Sequence, residues 1–94
     1  MTELPGQASF EECLREPFRL RLDDGAAVQL ELAEVTGAGP GSFSAIFRGA
    51  PDFYTPQRIW RLEHDRLGEL DLFLVPLQPD EHGSRFEAVF NRQR

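Results

Sequence analysis

Between Phe18 and Phe90 the apolar residues recur at every second position, in short runs broken by turn-forming residues. A period of two lines one face of a pleated strand, whereas a helix would need the 3.6-residue period. The chain is therefore expected to be mainly β. Phe18, Leu20 and Leu22 alternate with Arg19 and Arg21, Asp23-Asp24-Gly25 turns the chain, and Val28, Leu30 and Leu32 alternate with Gln29 and Glu31. Pairing Leu20 with Leu30 keeps the apolar side chains on one face and sets Arg19 opposite Glu31, which predicts the register of a first hairpin.

A third strand carries Phe43, Ala45 and Phe47 and stops at Gly49-Ala50-Pro51, and a fourth, Ile59 to His64, places Trp60, Leu62 and His64 on one face. The fifth, Glu69 to Val75, is expected to end at Pro76, which cannot donate to a ladder. Setting its Leu70 opposite Leu62 places Asp71 opposite Arg61 as a surface ion pair. Arg85 to Phe90 forms the sixth. Phe73 and Val75 make the second face of the fifth strand apolar too, so its later half should be covered on both sides.

The expected cover is a short helix near the N-terminus. Ser9-Phe10-Glu11-Glu12 has the spacing of a capping box, Phe10, Cys13 and Leu14 share a face, and Pro17 ends the helix, which places it within residues 9–16, about Phe10 to Arg15. Residues 1–8 are expected to be flexible, 91–94 to form a tail, and the glycine-rich 37–42 to be a mobile loop. Six short strands and one helix in a single domain of 94 residues make a compact antiparallel barrel or a two-sheet sandwich. Alternation alone does not distinguish them.

Ten Arg, no Lys and sixteen acidic residues give a net charge of −6, which disfavours nucleic acid and anionic lipid as partners. No apolar run is long enough to span a bilayer, and residues 1–7 lack the basic and apolar regions of a secretory signal, so a cytoplasmic location is expected. Cys13 is the single cysteine, which leaves no intrachain disulfide and no cysteine-rich zinc site.

Catalytic chemistry finds little foothold. Glu63-His64-Asp65 and Asp80-Glu81-His82 contain metal-ligand types, yet neighbours on a strand point to opposite faces, so Glu63 and His64 cannot both ligate one ion. No metal and no other cofactor are expected. Glu63, Glu69, Asp71 and Glu87 sit on polar strand faces rather than in a recognisable acid–base pair. Cys13 has no His or Asn nearby in sequence, Ser44 lacks a nucleophile-elbow context, and the glycines at 37, 39 and 41 precede no helix that would cradle phosphate. What remains are Phe53, Tyr54 and Trp60 with Arg48 and Arg58, residue types enriched at protein interfaces.

Phe43-Ser44-Ala45-Ile46-Phe47-Arg48-Gly49, Pro56-Gln57, Leu62-Glu63-His64, Leu67 to Pro76 and Arg85 to Asn91 together resemble a small bacterial domain family of unknown function. The resemblance covers nearly all of the chain from Phe10. It implies short proteins, sometimes encoded near phage-tail-like collar proteins, and brings no catalytic residues. Gly49, Gly68, Pro76 and the Phe and Leu positions of that pattern are explained by turns and core. Arg48, Glu63, His64 and Asn91 are not, so they join Phe53, Tyr54 and Trp60 as candidate interaction residues. The functional expectation is a non-enzymatic interaction or structural module, an accessory of a phage-tail-like or other assembly, that binds a protein partner or itself. The alternatives are a barrel binding a small molecule beneath the helix and the 49–57 loop, and an enzyme using Glu63 and His64.

Overall fold

A computed structural model describes residues 5–37 and 41–91. A short helix, α1 (Gln7–Glu11), precedes strands β1 (Pro17–Arg21), β2 (Ala27–Gly37), β3 (Ser42–Gly49), β4 (Arg58–His64), β5 (Gly68–Asp80) and β6 (Gly83–Asn91). Every pairing is antiparallel, and the order β1-β2-β3-β6-β5-β4 closes on itself, so the fold is a barrel and not a sandwich. Closure removes the long edges that an open six-stranded sheet would present. Residues 38–40 of the expected mobile loop, 1–4 of the expected flexible N-terminus and 92–94 of the expected tail lie outside the described residues. Gln7 and Ala8 belong to α1 and Asn91 to β6.

Alternation selects the interior: Phe18, Leu20, Leu32, Phe47, Leu62 and Leu74 are all fully buried. The two ends are closed by different devices. At one, Phe10 of α1 sits 5.8 Å from the Phe43 ring and 5.1 Å from that of Phe90, and it stacks on Phe18. At the other, Phe53 meets Phe86 edge-on at 5.6 Å and lies beside Gly49. Phe43 and Gly49 are six residues apart on β3, about 20 Å at strand rise. Helix and 49–57 loop therefore plug opposite ends and do not frame one mouth.

Several local expectations give way to tertiary pairing. α1 begins two residues before Ser9, with Gly6 as N-cap and no side-chain cap, so the capping box does not form. It also ends early. Residues 12–15 are turns, and Arg15 adopts φ 72°, the left-handed conformation that reverses the chain. Its amide donates to the Leu32 carbonyl while the Leu32 amide donates to that of Glu16, so docking on β2 decides where the helix stops.

The first hairpin is tighter than predicted. Leu22 and Ala26 close a three-residue turn in which the Ala26 amide donates to Asp24 Oδ1 and Gly25 takes φ 91°. Phe18 thus pairs with Leu30, Leu20 with Val28 and Arg19 with Gln29 instead of Glu31. A two-residue shift preserves the faces, which is why alternation could not detect it. Arg61 does lie opposite Asp71, as expected, with Nε 2.6 Å from Oδ1.

Pro76 does not end β5. Pairing with β4 stops at Arg58↔Leu74, and from Val75 onward β5 pairs with β6. Pro76 thus falls where the strand has one neighbour and a missing donor is tolerated. Nor does α1 cover the outer side of β5: the helix packs on β2, and Phe73 is left half exposed.

Gly83 closes the β5–β6 turn at φ 136°, and a Cβ there would overlap the Gly49 carbonyl oxygen, whereas one on Gly68, at φ 79°, would meet open space. Gly83→Ala is therefore expected to cost roughly 2–4 kcal/mol and Gly68→Ala about 1 kcal/mol. Thermal unfolding of the two variants should show the larger drop for Gly83→Ala.

Candidate functional site at the β1–β4 seam

The barrel closes through only two backbone pairs between β1 and β4, Arg19↔Glu63 and Leu20↔Leu62. Side chains extend this short seam in both directions. Arg21 Nε donates to Glu63 Oε2 at 3.0 Å, Arg19 lies 3.6 Å from Glu63 and 3.3 Å from Asp65, and Arg58 holds both oxygens of Asp23. The Arg21 hydrogen bond holds the Glu63 carboxyl below the ordinary glutamate range, and Arg58 does the same for Asp23. Arg58 also stacks over the Trp60 ring, 3.8 Å from its centroid.

Toward the α1 end the seam finishes in a cluster of Cys13, Glu16, His64 and Arg66. His64 is buried, with Nδ1 accepting from the amides of Arg66 at 3.0 Å and Leu67 at 3.2 Å. An acceptor Nδ1 sets the ring as the tautomer with its hydrogen on Nε2, which donates to Glu16 Oε1 at 2.8 Å. Arg66 donates to both Glu16 oxygens, at 2.8 and 2.9 Å, and to the Glu12 carbonyl. Hydrogen bonds from Arg66, then from His64, lower the Glu16 pKa.

This cluster has catalytic residue types without catalytic geometry. Cys13 is almost completely buried, and desolvation pushes its thiol up against the lowering influence of Arg66, 3.6 Å from the sulfur. His64 has both nitrogens engaged elsewhere, so it cannot serve that thiol as base. One atom each from Cys13, Glu16 and His64 lie within 4.8 Å of one another, close enough to suggest a metal. Coordination through Nε2 would, however, move the ring hydrogen to Nδ1, against two amide donors, and the Arg66 guanidinium already lies against Glu16. The arrangement works as a buckle between the turn after α1 and the β4–β5 turn.

The residues singled out from sequence do not converge. Glu63 faces outward to Arg19 and Arg21 while His64 faces inward to Glu16, so the two form no pair. Trp60 is core, its Nε1–H donating to the Pro56 carbonyl. Phe53 is part of one plug, and Tyr54 is 71% exposed. Arg48 donates to Asp80 at 2.7 Å. Asn91 accepts from Ser42 Oγ, at the far end of β3 from Phe53. Sequence reasoning missed Glu16 as the partner of His64 and Arg66, because 48 and 50 residues separate it from them and no local spacing signals the contact.

It also left unassigned what becomes the main exposed feature of the barrel wall. Ile59 pairs with Phe73 across β4 and β5, and Val89 stands on β6, the strand that follows β5 in the barrel order. All three point outward, 63%, 50% and 55% exposed. Val75 and Leu77, half-buried, continue the strip along β5. The signal was the two-faced apolar pattern of β5, whose expected cover does not come from α1.

Fold and surface together define a small closed antiparallel barrel with a helical plug, a line of ion pairs along its closing seam and exposed apolar side chains on its wall. The chain belongs to the family described as domain of unknown function DUF6916, which matches residues 5–90. No curated protein and no solved structure matches it. None of its helices is long and apolar enough to cross a membrane, among the described residues.

The lowered pKa of Glu16 ties the buckle to pH. A depressed carboxyl stabilises the fold above its unfolded pKa, about 4.3, and loses that contribution as pH falls through the folded value. Glu16→Gln should lower the melting temperature at pH 7, and the gap to wild type should narrow by pH 3. Circular dichroism melts across that interval test this.

Proposed function

We propose that this chain is a non-enzymatic docking module that attaches to another protein through the outer face of β4, β5 and β6. The observation that carries the proposal is the exposed pair Ile59 and Phe73, side by side on β4 and β5 and continued along β5 by Val75 and Leu77, with Val89 exposed on neighbouring β6. Isolated apolar residues on a surface are ordinary, but a contiguous strip on a strand apolar on both faces marks a surface that works covered. A net charge of −6 makes a second copy a poor cover and favours a different, neutral or basic chain. The resemblance to domains encoded near phage-tail-like collar proteins supports an accessory place in a multi-protein assembly. The interior, filled by Phe and Leu side chains, offers no support for an internal ligand.

The test compares proteins retained from native lysate by wild type, by Ile59→Ser/Phe73→Ser, and by Tyr54→Ser as a control off the strip. The expected result is a partner held by wild type and the control and lost by the double variant, whose circular dichroism spectrum remains that of a folded barrel. Equal capture by all three, or a wild type that retains nothing and turns over a metabolite, overturns the proposal.

A further inference from the structure

The shape and rim of this face say more about what covers it, and the step rests on the docking reading above. A partner could add a strand to an edge or lay an element across a face. The edge is poorly suited: past Leu74, where β5 leaves β4, the strand carries Pro76 and Pro79, which supply no N–H to an added strand. The face is better suited. Ile59 lies beside Phe73 on the paired strand, and Phe73 to Leu77 run about 13 Å along β5. That footprint matches one α-helix, roughly 10–12 Å across, whose stripe at i, i+3, i+4 and i+7 covers about 10 Å of axis.

The rim has a sign. Glu69 and Asp71 beside Phe73, and Glu87 opposite Val75, outnumber Arg61, whose guanidinium is already bound to Asp71 and Glu69. Arg85, opposite Leu77, turns to the Gln78 carbonyl and toward Asp80, and Arg58, beside Ile59, is held by Asp23. Cations flanking an incoming apolar stripe would meet carboxylates. Anions would meet like charge.

We propose that the occupant of this face is an amphipathic α-helix of a partner protein, its apolar stripe flanked by Arg or Lys. Two synthetic peptides of about 18 residues, long enough to form helix, carry the same Leu stripe and differ only in Arg or Glu flanks. Titrated into the isotope-labelled full chain at physiological salt, the Arg-flanked peptide should shift amides around Ile59, Phe73 and Val89. Its affinity should fall roughly tenfold or more in Phe73→Ser, which leaves the charge unchanged. The Glu-flanked peptide should bind at least as poorly. Absence of binding, equal binding of the two peptides, or shifts centred elsewhere overturn the helix assignment. Patch-dependent capture in the lysate comparison would then still stand as evidence for docking, and patch-independent capture would remove docking whatever the peptides do.

Discussion

The barrel depends on a seam with almost no backbone in it. Five of its six strand interfaces are ladders, but β1 and β4 share two residue pairs, and without that contact the sheet would be open. Side chains carry the closure: Asp23 with Arg58, Glu63 with Arg19 and Arg21, and Glu16 with His64 and Arg66 follow one another along the same boundary. Exposed ion pairs are individually weak, because solvent screens them and their side chains pay entropy to meet. A line of them across one seam acts on a single opening motion and adds to the burial of Leu20 and Leu62 beneath it. Glu16, Asp23, Glu63 and His64 are thereby engaged in holding the barrel shut.

Legibility from sequence follows the range of the interaction. Alternation is local, and it placed the six strands, the inward Phe and Leu residues, the outward Glu63 beside an inward His64, and the Arg61–Asp71 pair across a short turn. Register in the first hairpin was off by two because two forces were weighed and a third decided. Apolar faces and charge pairing both allowed Leu20 opposite Leu30, but the Asp24 side chain and the left-handed Gly25 close the turn at Ala26. The capping box failed for a related reason, since Phe10 must reach Phe43 and Phe90 while Arg15 and Glu16 pair with Leu32. Barrel closure and the Glu16–His64–Arg66 buckle join residues about fifty apart, and nothing in a linear pattern announces such a meeting.

The clearest local signal was the one whose consequence lay outside the chain. Phe73 and Val75 gave β5 two apolar faces, and the fold uses one: Leu70, Leu72 and Leu74 turn in, while Phe73 stays half exposed beside Ile59. α1 was the expected cover, but its aromatic anchor has a better site at the barrel end, where Phe10 loses all contact with water against three rings. With the helix spent as a plug, the wall keeps an apolar strip that no segment among the described residues covers.

Closure and strip also separate in their response to acid. Glu16, Asp23 and Glu63 all lie on the β1–β4 seam and all have pKa values lowered by the cations they bind, so each withdraws stabilisation as pH falls through its folded value. Asp71, lowered by Arg61, and Asp80, lowered by the His82 amide and then by Arg48, tie β4 to β5 and the β5–β6 turn to β3, but those elements keep backbone ladders beneath the ion pairs. The seam has no such reserve. Acid therefore loosens this barrel first where side chains substitute for backbone, between β1 and β4, and leaves the wall that carries Phe73 and Val89 to the β4–β5, β5–β6 and β3–β6 ladders and to hydrophobic contacts that do not titrate.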